Sequence, residues 1–358
     1  MKAAGAIVPQ TKGASGAKDA TIETLRGLAC ILVVLYHVRG SDPSHGLRLQ
    51  HDNPWSYLVD SVVYVRMPLF TFLSGFVYAL RPLRGGYGSF LHGKYRRVIV
   101  PMLVIGTAFG LLQLLVPGTN VKAVVPWYLW HIFPIGHFWF LESIFAVFAV
   151  VGLLDLYGLL KRARWCLVLM SAALVADAAL PVWPNILGLR MSLYLLPFFL
   201  AGLAATRFDW RSAKPWMKIS AVVGAVLLLS VTQLGLLGLI HKVPERHSVT
   251  AGVLGILACL VLLLNNRCVR WLAYIGGFSF TIYTCHVFGT AAARMALNRV
   301  GMDSVGLHML AGVVAGVLLG IAVELAARRT RVGRALILGQ RRSVMTRRSS
   351  AGQEVKAV

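Results

Sequence analysis

Apolar residues along this chain come in runs too long and too uninterrupted to be one face of a soluble helix. Ten such runs stand out, at 21–39, 57–80, 97–116, 137–160, 165–182, 189–206, 216–240, 249–264, 271–290 and 308–327. A helix needs about 20 predominantly apolar residues to cross the hydrocarbon core of a bilayer. Most of the runs meet that length; 165–182 and 249–264 are the short ones. Lipid offers no partner to backbone N–H and C=O groups, so helices are the form these runs are expected to take. The pattern predicts an all-α, polytopic transmembrane helix bundle of about ten spans. A polar tail (1–20) precedes the membrane domain (21–327), and a basic tail (328–358) follows it.

Composition agrees with this picture. Only 14% of the 358 residues are charged and 57% are hydrophobic, whereas a soluble domain carries roughly a quarter charged residues. The formal net charge is +23. A strongly basic protein invites a polyanion such as nucleic acid through counterion release. Here the charge is accounted for by topology. With the N-terminus inside, 26 of the 36 Lys and Arg fall in cytoplasmic segments, eight fall in outer ones, and Arg26 and Arg66 lie inside spans. That bias obeys the positive-inside rule and sets both termini in the cytoplasm. No basic groove interleaved with aromatics is visible, and no nucleic-acid partner is expected. The basic tail is expected to anchor the topology and to touch anionic lipid headgroups.

The five cysteines lie in or beside apolar runs without CxxC spacing, as small core residues do. The first twenty residues lack the apolar core of a cleavable signal peptide, so the first span is expected to act as its own insertion signal. No pair of matching broken helices in two halves appears, which weighs against a transporter.

The first span carries the clearest chemistry. Arg26 and His37 are eleven residues apart, about three helical turns, so both project from one face with roughly 16 Å between them along the axis. Glu23 falls on the same side about one turn earlier. Ionisable groups inside a span are costly and usually functional, and an imidazole near neutrality suits a proton relay or a general base toward a hydroxyl. The plainer alternative is an interfacial His37 bonded to a carbonyl and an Arg26 that snorkels. His37, His137 and His286 share one membrane depth, which raises the question of a metal. No close His pair and no companion carboxylate accompanies them, so none is expected. Trp139 and Tyr283 suit either the aromatic belt or stacking on a sugar ring. Glu142 is expected to orient a histidine or to pair with Arg66, and Glu324 to pair with Arg328. Ser74-Gly75 reads as a packing contact, and Gly312 with Gly316 as internal packing or a dimer contact. No Gly-x-Ser-x-Gly elbow occurs.

Five segments in order resemble acyltransferase family 3, the membrane O-acyltransferases of bacterial surface polysaccharides. They are Arg26-Gly-Leu-Ala with His37, Met67 to Phe76 with its Ser74-Gly75-Phe76, and Lys94-Tyr-Arg96-Arg97 before Pro101. His137-Phe-Trp139 and Ser279-Phe-Thr-Ile-Tyr283-Thr-Cys-His286 complete the set. The family's common form has Arg where Lys94 stands, which leaves the register of that basic pair open between Lys94 and Arg96. The resemblance implies catalysis by His37 with Arg26, and a donor site at Lys94, Arg96 and Arg97, whose charges suit the phosphates of coenzyme A. It further implies acetyl-CoA as donor, a glycan or lipid-linked sugar as acceptor held near His137, Trp139, Glu142, Tyr283 and His286, and a bacterial inner-membrane location. Two rivals remain. One is a succinyltransferase of the same family acting on periplasmic glucans, with Arg66 as the extra cation near the acyl end. The other is a proton-coupled exporter with Arg26, His37 and Glu142 as its relay.

Overall fold

A computed structural model describes residues 20–40, 45–50, 52–81, 83, 86–117, 119, 125–264 and 267–340. Most of the N-terminal tail, residues 341–358 of the basic tail, and the loop positions Arg84 and Lys122 lie outside them. Among the described residues the chain is all-helical, with no strand. The helices are α1 (Ala20–Arg39), α2 (Pro54–Ser61), α3 (Val63–Leu80), α4 (Tyr87–Lys94), α5 (Val100–Leu115), α6 (Trp139–Leu156) and α7 (Ala163–Ala179). There follow α8 (Leu189–Arg207), α9 (Pro215–Leu236), α10 (Val249–Leu264), α11 (Arg270–Gly276), α12 (Ser279–Arg299), α13 (Val305–Arg329) and α14 (Arg331–Leu336).

Each apolar run falls on helix, and seven helical segments are long and apolar enough to cross a membrane. Three runs fall short of that mark for visible reasons. The run at 249–264 is α10, apolar but brief. The run at 165–182 becomes α7, which ends at Ala179. The run at 271–290 divides at Gly277–Phe278 into α11 and α12, and α12 carries Arg294 and Arg299.

The second run also breaks, at Val62, whose backbone leaves the helical region (φ −108°, ψ 5°). Pro68 lies inside α3, and without an N–H it cannot bond the carbonyl of Tyr64, one turn back. A similar cause acts before α5. Pro101 cannot bond the carbonyl of Arg97, and residues Tyr95–Ile99 relax into one turn of π-helix.

Close crossings of small residues hold the bundle. A Cβ on Gly75 of α3 would come within 2.0 Å of the Phe199 carbonyl oxygen, and one on Gly202 of α8 within 1.9 Å of the Phe72 carbonyl oxygen. The two glycines thus fit reciprocally, as packing without a hydrophobic driving force requires. Among the described residues Ser74 bonds only its own helix, through the Phe70 carbonyl at 2.9 Å, so Ser74-Gly75 is a packing contact. Gly27 on α1 and Gly276 on α11 make a second reciprocal crossing. Gly312 packs on Val38 and Gly316 on Val34 and Thr290, which settles that pair as internal.

α1 is thereby set in the middle, against α3, α11, α12 and α13. α9 lies at the periphery, with Ile219, Val222, Val223, Val226 and Leu227 exposed, as lipid-facing residues would be. The start of the basic tail is ordered: α14 follows α13, and Gly339 rests on the backbone of Arg96 and Arg97.

Candidate active site

α1, α6 and α12 bring three imidazoles together. His37 comes from the last turns of α1, His137 from the short turn leading into α6, and His286 from the middle of α12. The ring of His286 lies 4.9 Å from that of His37 and 4.9 Å from that of His137, with His37 and His137 5.8 Å apart. Their hydrogen bonds assign the protons. His286 Nδ1 stands 3.0 Å from the Ile282 carbonyl and 2.8 Å from that of Tyr283. Carbonyls only accept, so Nδ1 carries a hydrogen and, in the neutral ring, Nε2 keeps a lone pair; Nε2 has no partner among the described residues. His137 donates from Nε2 to the Thr284 carbonyl at 3.3 Å. The Tyr283 hydroxyl donates to the His137 carbonyl and pins that turn. His37 makes no hydrogen bond among the described residues, so both its ring nitrogens remain available.

His37 and His137 line a cavity of about 850 Å³, together with Tyr36, Arg66, Trp139, Arg246, Tyr283, Arg294, Arg299 and His308. This is within the usual size of a ligand site. Tyr283 is buried and Trp139 faces the cavity, so neither belongs to a lipid-facing belt. Arg66 is 3% exposed. Its guanidinium lies over the Tyr36 ring at 3.4 Å and bonds Glu245 at 2.6 Å.

The segment between α9 and α10 builds the wall around Arg66. Lys242 reaches Asp60 at 3.7 Å, Glu245 reaches Arg66, and Arg246 stacks on Trp139 at 4.8 Å. His247 meets Asp177 and the fully buried Arg190 at 3.0 and 2.6 Å. Breaking such a buried ion pair by removing one partner costs about 3–5 kcal/mol, so this loop is firmly held.

Other expectations fall elsewhere. Arg26 pairs with Glu23 at 2.9 Å at the far end of α1 and does not line the cavity. Glu142 is 5% exposed, lines no part of the cavity, and neither carboxylate oxygen has a partner. It orients no histidine and does not pair with Arg66, because Glu245 takes that guanidinium and the Gly188 turn before α8 packs on Glu142 itself. Arg26, His37 and Glu142 therefore form no continuous relay, which removes the basis of the exporter reading. Glu324 pairs with Arg328 as expected and also accepts from Thr281 at 2.7 Å.

The expected donor cluster surrounds the π-helical turn, apart from the cavity. Lys94 is tucked against Phe148, its Nζ 3.5 Å from the ring, while Arg97 is exposed. Among the described residues no group of three His, Cys, Asp or Glu side chains is placed to hold a metal ion.

Arg246 of the cavity and its neighbour Glu245, which bonds Arg66, carried no functional expectation from the sequence. Their one visible signal was a cation on the outer side, where topology disfavours it.

Fold and cavity define a multi-pass membrane protein with an imidazole cluster open to ligand at its centre. The chain belongs to acyltransferase family 3: the family's model, described as an acyltransferase domain, matches residues 19–328. No curated protein and no solved structure matches the chain.

Proposed function

We propose that the protein is a bacterial inner-membrane O-acyltransferase moving an acyl group, acetyl in the first instance, from acyl-CoA to a hydroxyl of a cell-surface or lipid-linked glycan. It would cross the bilayer ten times with both ends in the cytoplasm. The observation carrying this reading is His37: an imidazole with both nitrogens uncommitted, at the wall of a ligand-sized cavity, in a chain of this family.

His37 would take the proton of the acceptor hydroxyl as its oxygen attacks the thioester carbonyl, then return that proton to the departing thiolate. In the relay form, a His37 nitrogen would attack the thioester carbonyl and expel the coenzyme A thiolate, which takes up the proton lost from the imidazole. The acceptor hydroxyl would then attack the acyl-imidazole, and its proton would pass to the released imidazole. His286 and His137, both bonded to carbonyls, would pack against the His37 ring and keep it oriented. Arg97 is exposed and suits a phosphate of coenzyme A, with Arg96 beside it; Lys94 would have to leave Phe148 to join them. Arg26 would line the donor path.

The test is acetyl-CoA turnover by purified protein in liposomes containing the host's glycan-lipid extract, wild type against His37→Ala. A loss of roughly 10²–10⁴-fold with folding intact is expected. Equal turnover in the two proteins overturns the role of His37.

A further inference from the structure

We infer that the acceptor is an anionic glycan, a sugar chain bearing carboxylate or phosphate groups, drawn to the histidines along a row of arginines; this rests on the acyl-transfer reading above.

Among its described lining residues the cavity's charge is one-sided. Arg66, Arg246, Arg294 and Arg299 line it, and no Asp or Glu is among its described lining residues. Glu245 is already bonded to Arg66 from behind that wall. Arg246 makes no ion pair among the described residues; its guanidinium stacks on Trp139 and its Nη1 lies 3.8 Å from the Met191 sulfur. A stacked guanidinium keeps its N–H edge free for a bidentate oxyanion.

These cations are also out of place by topology. In the orientation proposed here Arg246, Arg294 and Arg299 are on the outer side, where Lys and Arg are disfavoured. Arg39 and Arg190, also on that side, pair with Asp60 and Asp177, whereas Arg246 has no such partner among the described residues.

The arrangement extends away from the chemistry. On α12 the lining positions Tyr283, Val287, Thr290, Arg294 and the terminal Arg299 follow one another from beside His286 to the helix end. Arg299 lies thirteen residues beyond His286, about 20 Å along the helix. The carboxylate of a dicarboxylic acyl group would need one cation beside His37. Arg294 and Arg299 spaced along that length, together with Arg246 in the same cavity, fit a charged chain of several sugars.

The probes are galacturonate tetramer and its uncharged methyl ester, which keeps the same ring hydroxyls. Binding to the full chain in phosphatidylcholine nanodiscs is measured at low and high salt, and transfer to each tetramer is followed with acetyl-CoA and with succinyl-CoA. The charged tetramer is expected to bind at least about tenfold tighter, with an advantage that shrinks in salt. Arg246→Gln and Arg294→Gln should each reduce that advantage about tenfold, and Arg246→Lys should retain most of it. The rim variant Arg299→Gln serves if Arg246→Gln does not fold.

Equal binding of both tetramers, or an advantage untouched in every variant, overturns the inference. So does an Arg246→Gln protein that loses only its use of succinyl-CoA, which would assign the cation to the acyl group. Charge-blind binding with acetyl transfer to the neutral tetramer sinks the inference and leaves acyl transfer standing. Selective binding with no His37-dependent use of either donor removes the acyl-transfer reading and, with it, the assignment of the anion as acceptor.

Discussion

His286 stands 4.9 Å from His37, ring to ring, and its Nδ1 is bonded to two carbonyls of its own helix. That bond fixes which nitrogen carries the hydrogen and presents an unshared lone pair at Nε2. Replacing His286 by Phe keeps the volume and removes both properties. Acyl transfer is expected to fall about tenfold or more, the scale of one lost buried hydrogen-bonding group. His286→Asn, which retains a donor toward the helix, should recover part of the rate. A His286→Phe protein with unaltered rate and pH profile would show that His286 only fills space.

Arg66 and Glu245 are 179 residues apart in sequence and bonded at 2.6 Å. Glu245→Gln leaves a nearly buried guanidinium without its counter-charge, at a cost of about 3–5 kcal/mol. The expected result is faster unfolding in detergent on heating. The double variant Arg66→Met/Glu245→Gln, which removes both charges, should regain most of the loss. A single variant as stable as wild type would mean the pair contributes nothing.

The crossing of α3 and α8 makes a sharper demand. A Cβ at Gly202 would stand 1.9 Å from the Phe72 carbonyl oxygen, whereas one at Gly93 meets nothing within 4 Å. Gly202→Ala is expected to lose most folded protein, because backbone and not a flexible side chain must move. Gly93→Ala on α4 should be neutral or slightly stabilising. Monodisperse yield in detergent reads both, and similar yields would refute the close crossing.

The donor cluster predicts a kinetic split. Arg97→Ala should raise KM for acetyl-CoA about tenfold, the scale of one charge-assisted bond to a phosphate, with kcat little changed. Lys94→Ala should have the smaller effect on KM, since its ammonium already rests on Phe148. Equal and small effects of both substitutions would move the coenzyme elsewhere.

Much of this was legible in the chain and some was not. The run at 249–264 is α10 to the residue, since polar segments bracket that apolar run on both sides. The stretches 57–80 and 271–290 each split in two. Hydropathy reports whether a residue tolerates lipid and says nothing of the backbone angle at Val62 or Gly277. The three histidines were expected at one depth, and they meet. Glu142 was expected among them and lies outside, because the direction of a side chain around its helix follows from what that helix packs against.

The sequence by itself determined that the protein is helical, that it is built for a bilayer, and that its polar chemistry concentrates at His37 and a few basic positions. Those conclusions rest on local quantities: apolar length, charge placement and spacing along one helix. The tertiary structure alone decided that Glu245 answers Arg66, that Arg246 lies over Trp139, and that Arg246, Arg294 and Arg299 share one cavity. Each of these joins segments distant in sequence: the loop between α9 and α10 meets α3 and α6, and α12 comes up beside those helices. The azimuth and depth of those helices are set by close crossings, such as Gly75 on Phe199 and Gly27 on Leu272, which hydrophobic pattern does not encode.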